Sequence, residues 1–355
     1  MNLNEKLRIA VIGYGRIGRF HSQHVMELAD IDDSCELVAI VEPDDRRLQT
    51  APNDIATFSS VPELLEAGIA DACVICSATH THQSVAEELV QSGLRVMMEK
   101  PMTDTLESDR QFTEQLNADW PNSVMLAFQR RYDPPLQFAR ELLQQKRLGE
   151  PFKIISILED SAPPPDGYES PGLLIDMSVH NIDEIIWLLG STPTGVVSVG
   201  SRVYNHKIST VEEDYDDATI HLQFDRDLTG RIEVSRLHVP GYHVETVVYC
   251  EQGVIRVGSF QPDPLLVHVD VLKRGELVER REFRMRDYRS TFPDLKIPEF
   301  IERFGAAYQS ELADFIEKCR TGKPFAVDQN DGLRAGQIAA AANRAAQSSG
   351  FQSID

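Results

Sequence analysis

The chain has 355 residues, 42% of them hydrophobic, enough for two domains with a sizeable core in each. Its 35 basic and 56 acidic residues leave a formal net charge of -21, which opposes nonspecific attraction to nucleic-acid phosphates or to an anionic membrane surface. No apolar run approaches membrane-spanning length, residues 1–8 lack the regions of a secretory leader, and five cysteines without framework spacing argue against structural disulfides; a cytoplasmic chain with no membrane and no nucleic-acid partner is expected.

The first element is a continuous apolar run over residues 7–12, followed by Gly13-Tyr14-Gly15-Arg16-Ile17-Gly18 and a helical pattern through Met26. Strand, glycine turn and helix in that order fit G-x-G-x-x-G. Gly13 permits the tight turn, Gly15 lets a pyrophosphate approach the backbone, Gly18 allows close helix packing, and Tyr14, Arg16 and Ile17 complete the cofactor loop. A second run, residues 37–41, ends at Glu42, where a carboxylate can accept hydrogen bonds from adenosine ribose hydroxyls and would repel a 2′-phosphate. NAD is therefore expected over NADP, with Arg46 and Arg47 as the nearby residues that could pair with such a phosphate.

Further apolar runs at 72–77, 96–98 and 124–128 alternate with helical segments such as 61–67 and 83–92, the pattern of a doubly wound parallel sheet. After one of these strands comes Ser77-Ala78-Thr79-His80-Thr81-His82. Ser77, Thr79 and His82 are candidates for the nicotinamide ribose, and Thr81 for the cap of the helix starting near Gln83. Cys73 and Cys76 spell C-x-x-C, but within a strand that spacing points the two side chains to opposite faces, and no second pair follows, so zinc is not expected there. The strand at 96–98 runs into Glu99-Lys100-Pro101. Ligands bind at strand ends of an open parallel sheet, and Pro101 biases Lys100 toward an extended conformation, so the Lys100 ammonium is the first candidate for chemistry.

After Tyr132 the rhythm changes. Residues 136–145 read as a helix, 152–158 as a strand, Pro163-Pro164-Pro165-Asp166-Gly167 as a loop, and 174–189 as a helix ended by Gly190. On that helix Asp176, His180 and Asp183 fall at i, i+4 and i+7, on one face. An imidazole beside a carboxylate is what proton abstraction from an alcohol needs: the imidazole accepts the proton, and the carboxylate orients the substrate or holds the tautomer. No metal is expected at this trio. From 195 to 286, β-branched runs broken by turn signals argue for an antiparallel sheet, on which Arg280, Arg281, Arg284, Arg286 and Arg289 alternate with acidic and apolar residues as on a solvated strand face or a subunit contact. Helices at 299–320 and 331–347 close the chain. The expected architecture is a Rossmann-type, doubly wound domain over residues 1–130 and an α+β domain with a large, mainly antiparallel open sheet over 131–355.

Taken together, the glycine fingerprint with His21, Glu99-Lys100-Pro101, Arg130-Arg131-Tyr132-Asp133-Pro134 and Asp176-x-x-x-His180-x-x-Asp183 resemble the glucose-fructose oxidoreductase, inositol dehydrogenase and rhizopine-catabolism (Gfo/Idh/MocA) family over essentially the whole chain. Ala162-Pro163-Pro164-Pro165 with Tyr168, and Arg303-Phe304, Tyr308 and Glu311-Leu312, are similar to its inositol-oxidising members. The resemblance implies a catalytic triad of Lys100, Asp176 and His180, Glu99 beside the cofactor, Arg130 and Tyr168 on the substrate side, and an open sheet that builds dimers or tetramers. Two departures, Glu159-Asp160-Ser161 in place of Ser-Arg-Asp and Pro171-Gly172 in place of paired glycines, touch the expected substrate wall and leave the polyol's identity open. The implied activity is NAD-dependent oxidation of a secondary hydroxyl of a cyclic polyol or pyranose sugar to the ketone. Its rivals are a sugar epimerase or hydrolase that uses bound NAD transiently, a dinucleotide-sensing regulatory protein, and a biliverdin-reductase-like activity.

Overall fold

The computed structural model describes residues 5–162, 170–202, 214–225, 227–261, 263, 265–290 and 297–354. The chain divides into two compact units, Met1–Phe128 with Tyr308–Arg334, and Gln129–Ala307 with Ala335–Asp355.

In the first unit, β1 (Leu7–Ile12), β2 (Cys35–Val41), β3 (Ala56–Phe58), β4 (Ala72–Ile75), β5 (Arg95–Glu99) and β6 (Val124–Ala127) form one parallel sheet in the order β3-β2-β1-β4-β5-β6. The connecting helices are α1 (Arg16–Asp32), α2 (Asp45–Leu48), α3 (Val61–Ala67), α4 (Thr79–Gln91) and α5 (Leu106–Asp119). β4 and β6 bury every residue, as strands covered on both faces must. Strand order reverses between β1 and β4, so the loops leaving these two strands diverge and open a crevice at their carboxyl ends. Residues 308–334 complete this unit: Leu126 N–H donates to Val327 O, 3.3 Å, and the Arg95 guanidinium lies 3.9 Å over the Phe325 ring.

The second unit contains α6 (Pro134–Gln144), β7 (Pro151–Glu159), α7 (Leu173–Asp176) and α8 (Ser178–Leu189). Then come β8 (Gly195–Ser201), β9 (Asp217–Gln223), β10 (Thr229–Ser235), β11 (His243–Cys250), β12 (Gly253–Val257), β13 (Leu266–Lys273) and β14 (Glu276–Arg284). Two long helices, α9 (Glu299–Thr321) and α10 (Gln329–Ser348), precede a short β15 (Gln352–Ser353); Tyr308–Thr321 of α9 and Gln329–Arg334 of α10 are counted with the first unit. The nine strands pair in the order β14-β13-β12-β11-β7-β10-β9-β8-β15, antiparallel throughout except for β7 with β10. Along β7, Ile154, Ser156 and Leu158 are buried while Ile155 and Ile157 are only half-buried. Ser156 Oγ donates to Glu184 Oε1 on α8, 3.0 Å, so the buried face is the helix side and the other face is open, with Val197 and Val199 of β8 exposed.

One local expectation is corrected. Residues 174–189 are not one regular helix: Met177, at φ -91° and ψ -46°, separates α7 from α8, and His180 N–H closes a tightened turn on Met177 O, 3.3 Å. The arginines around β14 alternate with acidic and apolar residues as expected and are charge-matched. Arg280 pairs with Asp270, Arg284 with Asp263 and Arg289 with Asp287, while Arg281 lies over Phe138 and Phe283 and Arg286 over Tyr288. Among the described residues no helix is long and apolar enough to cross a membrane.

Candidate active site

The glycine loop is shaped by where side chains cannot go. Gly13 sits at φ +89°, and a Cβ there would lie 2.7 Å from the backbone of Ser77 just past β4. A Cβ on Gly18 would overlap Gly13 O and stand 2.9 Å from Gly13 C, so α1 can close onto the strand only through glycine. Gly15 differs: its nearest neighbour would be Arg47 Nη1 at 3.9 Å, which leaves the approach to the loop open. Gly15 is also the N-cap of α1 and makes no side-chain cap bond, and the N-terminus of a 17-residue helix favours an anion. Glu42, 3% exposed, is set by the loop it faces. Its Oε2 accepts Tyr14 N–H at 2.8 Å and its Oε1 accepts Asp44 N–H at 3.1 Å, with Arg47 Nη1 3.4 Å from Oε2. A carboxylate offers about four acceptor positions, so capacity remains for ribose hydroxyls. These residues fit a dinucleotide.

Beyond β4 the structure redistributes the expected roles. α4 begins at Thr79, ahead of the start expected near Gln83, and Ala78 occupies the N-cap without a side-chain bond. Thr81 therefore lies inside the first turn, where its hydroxyl donates back to Ala78 O at 2.8 Å and meets Ser77 Oγ at 2.7 Å; it does not cap the helix. His82 is buried, with Nδ1 2.9 Å from Pro101 O and Nε2 3.1 Å from Ser77 O, so its ring ties together the chain ends leaving β4 and β5. Burial pulls its pKa down, against the pull of the two carbonyls. At the end of β5, Glu99 Oε1 meets Nε2 of buried His21 at 2.8 Å, and the His21 ring stands edge-on to Tyr308. Lys100 follows, partly exposed, joined to Pro101 by a cis peptide. Cys73 and Cys76 are free, and burial drives both thiols well above their ordinary pKa, which suits neither redox chemistry nor metal binding.

In the second unit, Asp176 ends α7 and is buried. Its Oδ2 accepts from Ser170 Oγ at 3.2 Å and lies 3.8 Å from Arg236 Nη2. Arg236, also buried, donates through Nη2 to Ser170 Oγ at 2.8 Å and through Nη1 to Asp214 Oδ2 at 3.0 Å; Asp214 Oδ1 in turn accepts Leu173 N–H at the start of α7, 2.9 Å. The carboxylate is thus held by a cation and a hydroxyl that are themselves fixed. Between Asp176 and Ile186, His180 is the one residue that is not buried. Asp183 does not complete a functional trio: it is buried and forms a two-pronged pair with Arg131, Nε to Oδ2 at 2.9 Å. Arg130, expected on the substrate side, is 2% exposed and paired at 2.7 Å with Glu184, which is 0% exposed and also accepts from Ser156 and Thr246. Its charge is already met inside the core.

Lys100 belongs to the first unit, and Asp176 and His180 to the second. Tyr168 and the triple proline lie outside the described residues. The sequence reading missed Ser170, Asp214 and Arg236, whose partners stand 66 and 22 positions apart. The one available signal was an arginine directly after the alternating strand β10.

A six-stranded parallel sheet in this order, with a glycine loop open on one flank and a buried carboxylate just past its second strand, defines a dinucleotide-binding unit of the Rossmann kind. The chain belongs to the Gfo/Idh/MocA family: residues 7–118 match the oxidoreductase family, NAD-binding Rossmann fold, and residues 136–256 match the GFO/IDH/MocA C-terminal domain. It is 28% identical to scyllo-inositol 2-dehydrogenase (NAD(+)) of Bacillus subtilis over 92% of this chain and 90% of that protein. It is 29% identical to myo-inositol 2-dehydrogenase of Thermotoga maritima, over 93% of each. Among solved structures, a myo-inositol dehydrogenase from Corynebacterium glutamicum superposes with a TM-score of 0.80 at 26% identity, covering 99% of both chains.

Proposed function

We propose that this NAD-dependent oxidoreductase oxidises a secondary hydroxyl of a cyclic polyol of the inositol type, or of a pyranose sugar, to the ketone. The observation that carries the reading is His180, the one unburied side chain between Asp176 and Ile186, one turn beyond a carboxylate anchored by Arg236 and Ser170. NAD, when bound, supplies the hydride acceptor. His180 takes the hydroxyl proton as general base, Lys100 donates a hydrogen bond to the reacting oxygen and stabilises developing alkoxide charge, and Asp176 orients the substrate or the imidazole. Gly13, Tyr14, Gly15, Arg16, Ile17 and Gly18 hold the pyrophosphate, with Ser77, Thr79 and Glu99 near the nicotinamide side. In this reading the nucleotide and substrate roles divide between residues 1–130 and 131–355. The inositol dehydrogenases that the chain resembles over nine-tenths of its length support the substrate class.

NADH formation on a panel of inositols and aldoses tests the proposal. Lys100→Met and His180→Ala should each lower kcat at least about 10²-fold while keeping fold and NAD affinity. A His180→Ala enzyme running near the wild-type rate with an unchanged pH profile would remove His180 as the base; substrate epimerised without net NADH would favour transient redox. Glu42 supports NAD preference by about tenfold, or roughly 1.4 kcal/mol, over NADP, and calorimetry showing equal affinity would promote Arg46 or Arg47 to phosphate ligands. The open sheet face supports a homo-oligomer, a dimer or tetramer, which light scattering tests; a monomer at micromolar concentration would sink it.

A further inference from the structure

Outside the Asp176 network, one cluster of side chains among the described residues has both the composition and the outer support of a metal site. Glu159 ends β7, His243 is its cross-strand partner at the start of β11, and His238 lies in the turn that precedes β11. Glu159 Oε2 is 2.8 Å from His243 Nδ1 and 3.5 Å from His238 Nε2, and all three atoms fall within 4.8 Å of one another. By strand alternation Glu159 shares the face of Ile155 and Ile157, opposite the face covered by α8, so the cluster is separate from the Asp176 network.

The outer contacts decide what these rings can do. His238 Nδ1 meets Gly241 O, and His243 Nε2 meets Glu245 Oε2 at 3.2 Å. Each ring therefore has an acceptor on the nitrogen that points away from Glu159. A neutral imidazole carries its proton toward such an acceptor and turns its lone pair the other way. Two lone pairs and a carboxylate then converge on one small volume, which is the donor set that a divalent cation reconciles. Phe260 stands edge-on to both rings, 5.3 and 6.0 Å between centroids, and fixes their orientation with an apolar wall.

We propose that Glu159, His238 and His243 bind one divalent transition-metal ion of the zinc type, with Glu245 and Gly241 O as the outer acceptors. Two imidazoles and one carboxylate suit Zn²⁺, and three protein ligands leave one position for water. Tetrahedral ligation at about 2.0–2.2 Å places ligand atoms roughly 3.3–3.6 Å apart, so the His238 separation already fits and the His243 separation must widen by about half an ångström. The competitor for the site is a proton. Burial alone would lower the His243 pKa, but hydrogen bonds to Glu159 and Glu245 overcome it and raise it to about 9, so an incoming ion must displace that proton.

Chelator-treated full-length protein, titrated with Zn²⁺ by calorimetry and with Co²⁺ by visible absorption, tests the site. One ion per chain should bind at micromolar concentration or tighter, with the intense Co²⁺ bands of a low-coordinate nitrogen and oxygen site. His238→Ala should weaken Zn²⁺ at least about 100-fold, and Glu245→Ala about tenfold, the scale of losing an outer-shell acceptor. His238→Ala is the deciding variant because its 3.5 Å approach to Glu159 carries little folding energy, and the metal-free variant should melt with the wild type. Zn²⁺ binding weaker than about 100 μM, or affinity unchanged in His238→Ala, would overturn the proposal and leave His243 as an imidazolium shared by Glu159 and Glu245.

Discussion

The two units prepare for ligands by opposite means. In the first, the glycine loop makes room by omission: Gly13 and Gly18 let backbones approach, Gly15 leaves an open flank, and beside the loop stands one carboxylate already bonded to amides. In the second, α8 is pinned by buried charge. Arg130 and Arg131, adjacent on a 3-10 turn, pair with Glu184 and Asp183, adjacent on α8, while Arg303 of α9 holds Asp133 through two bonds of 2.8 Å. Backbone amides carry no net charge and cost little to align once the turn forms. A buried ion pair must recover the desolvation of two ions and depends on complete partners. The first unit should therefore respond to changes of volume, and the second to changes of charge.

The largest expected effect follows from that contrast. Glu184→Gln or Arg130→Met should each cost about 3–5 kcal/mol in unfolding free energy, because each leaves its partner's charge buried and uncompensated. Replacing both with apolar residues should cost less than the sum of the two. Denaturant unfolding of the singles and the double measures this, with NAD affinity as the control. If Glu184→Gln weakens NAD as much as it destabilises the chain, the two units do not divide their tasks in this way.

The same contrast explains what was legible beforehand. The cofactor loop is written in six consecutive positions, 13–18, and its function follows from the absence of side chains, so the sequence displays it directly. The parallel strands were legible for a similar reason, since burial on both faces leaves uninterrupted apolar runs. The pairs of the second unit join positions 52, 54 and 170 apart, and nothing in the local pattern names the partner. Asp183 consequently read as a third member of a helix face and Arg130 as a substrate residue, because a charge on an amphipathic pattern looks the same whether it meets solvent, ligand or a buried opposite. The return of residues 308–334 to the first unit was invisible too, as helix periodicity records that a face is apolar but not which sheet it covers.

A smaller effect separates the glycines. Gly15→Ala should leave unfolding unchanged, since its Cβ meets nothing closer than 3.9 Å, yet weaken NAD by about 10- to 100-fold, roughly 1.4–2.8 kcal/mol, by occupying the flank where pyrophosphate must approach. Gly13→Ala should damage folding and binding together. Calorimetric titration alongside thermal melts distinguishes the two, and a Gly15→Ala protein with full NAD affinity would show that the open flank is not the phosphate approach.

The smallest effect tests the contrast inside the first unit itself, at the buried acid that lacks what the second unit supplies. Asp109, in the first turn of α5, is buried, and its side-chain partner is the Thr103 hydroxyl, 2.7 Å from Oδ1, rather than an arginine. Burial raises its pKa to about 6, with the Thr103 bond opposing only in part. The folded state thus binds a proton that the unfolded chain, with an ordinary value near 3.9, has already released. The contribution to stability is full below about pH 4, falls as pH rises toward 6, and is lost above it. Asp109→Asn keeps the acceptor for Thr103 and removes the ionisation. It should match wild type near pH 4 and exceed it by about 1–2 kcal/mol at pH 8, within the roughly 1.4 kcal/mol per unit that such a shift allows. Urea unfolding of both proteins at the two pH values measures the difference. Equal stability at both would mean that the carboxylate is compensated by charge after all, as its counterparts in the second unit are.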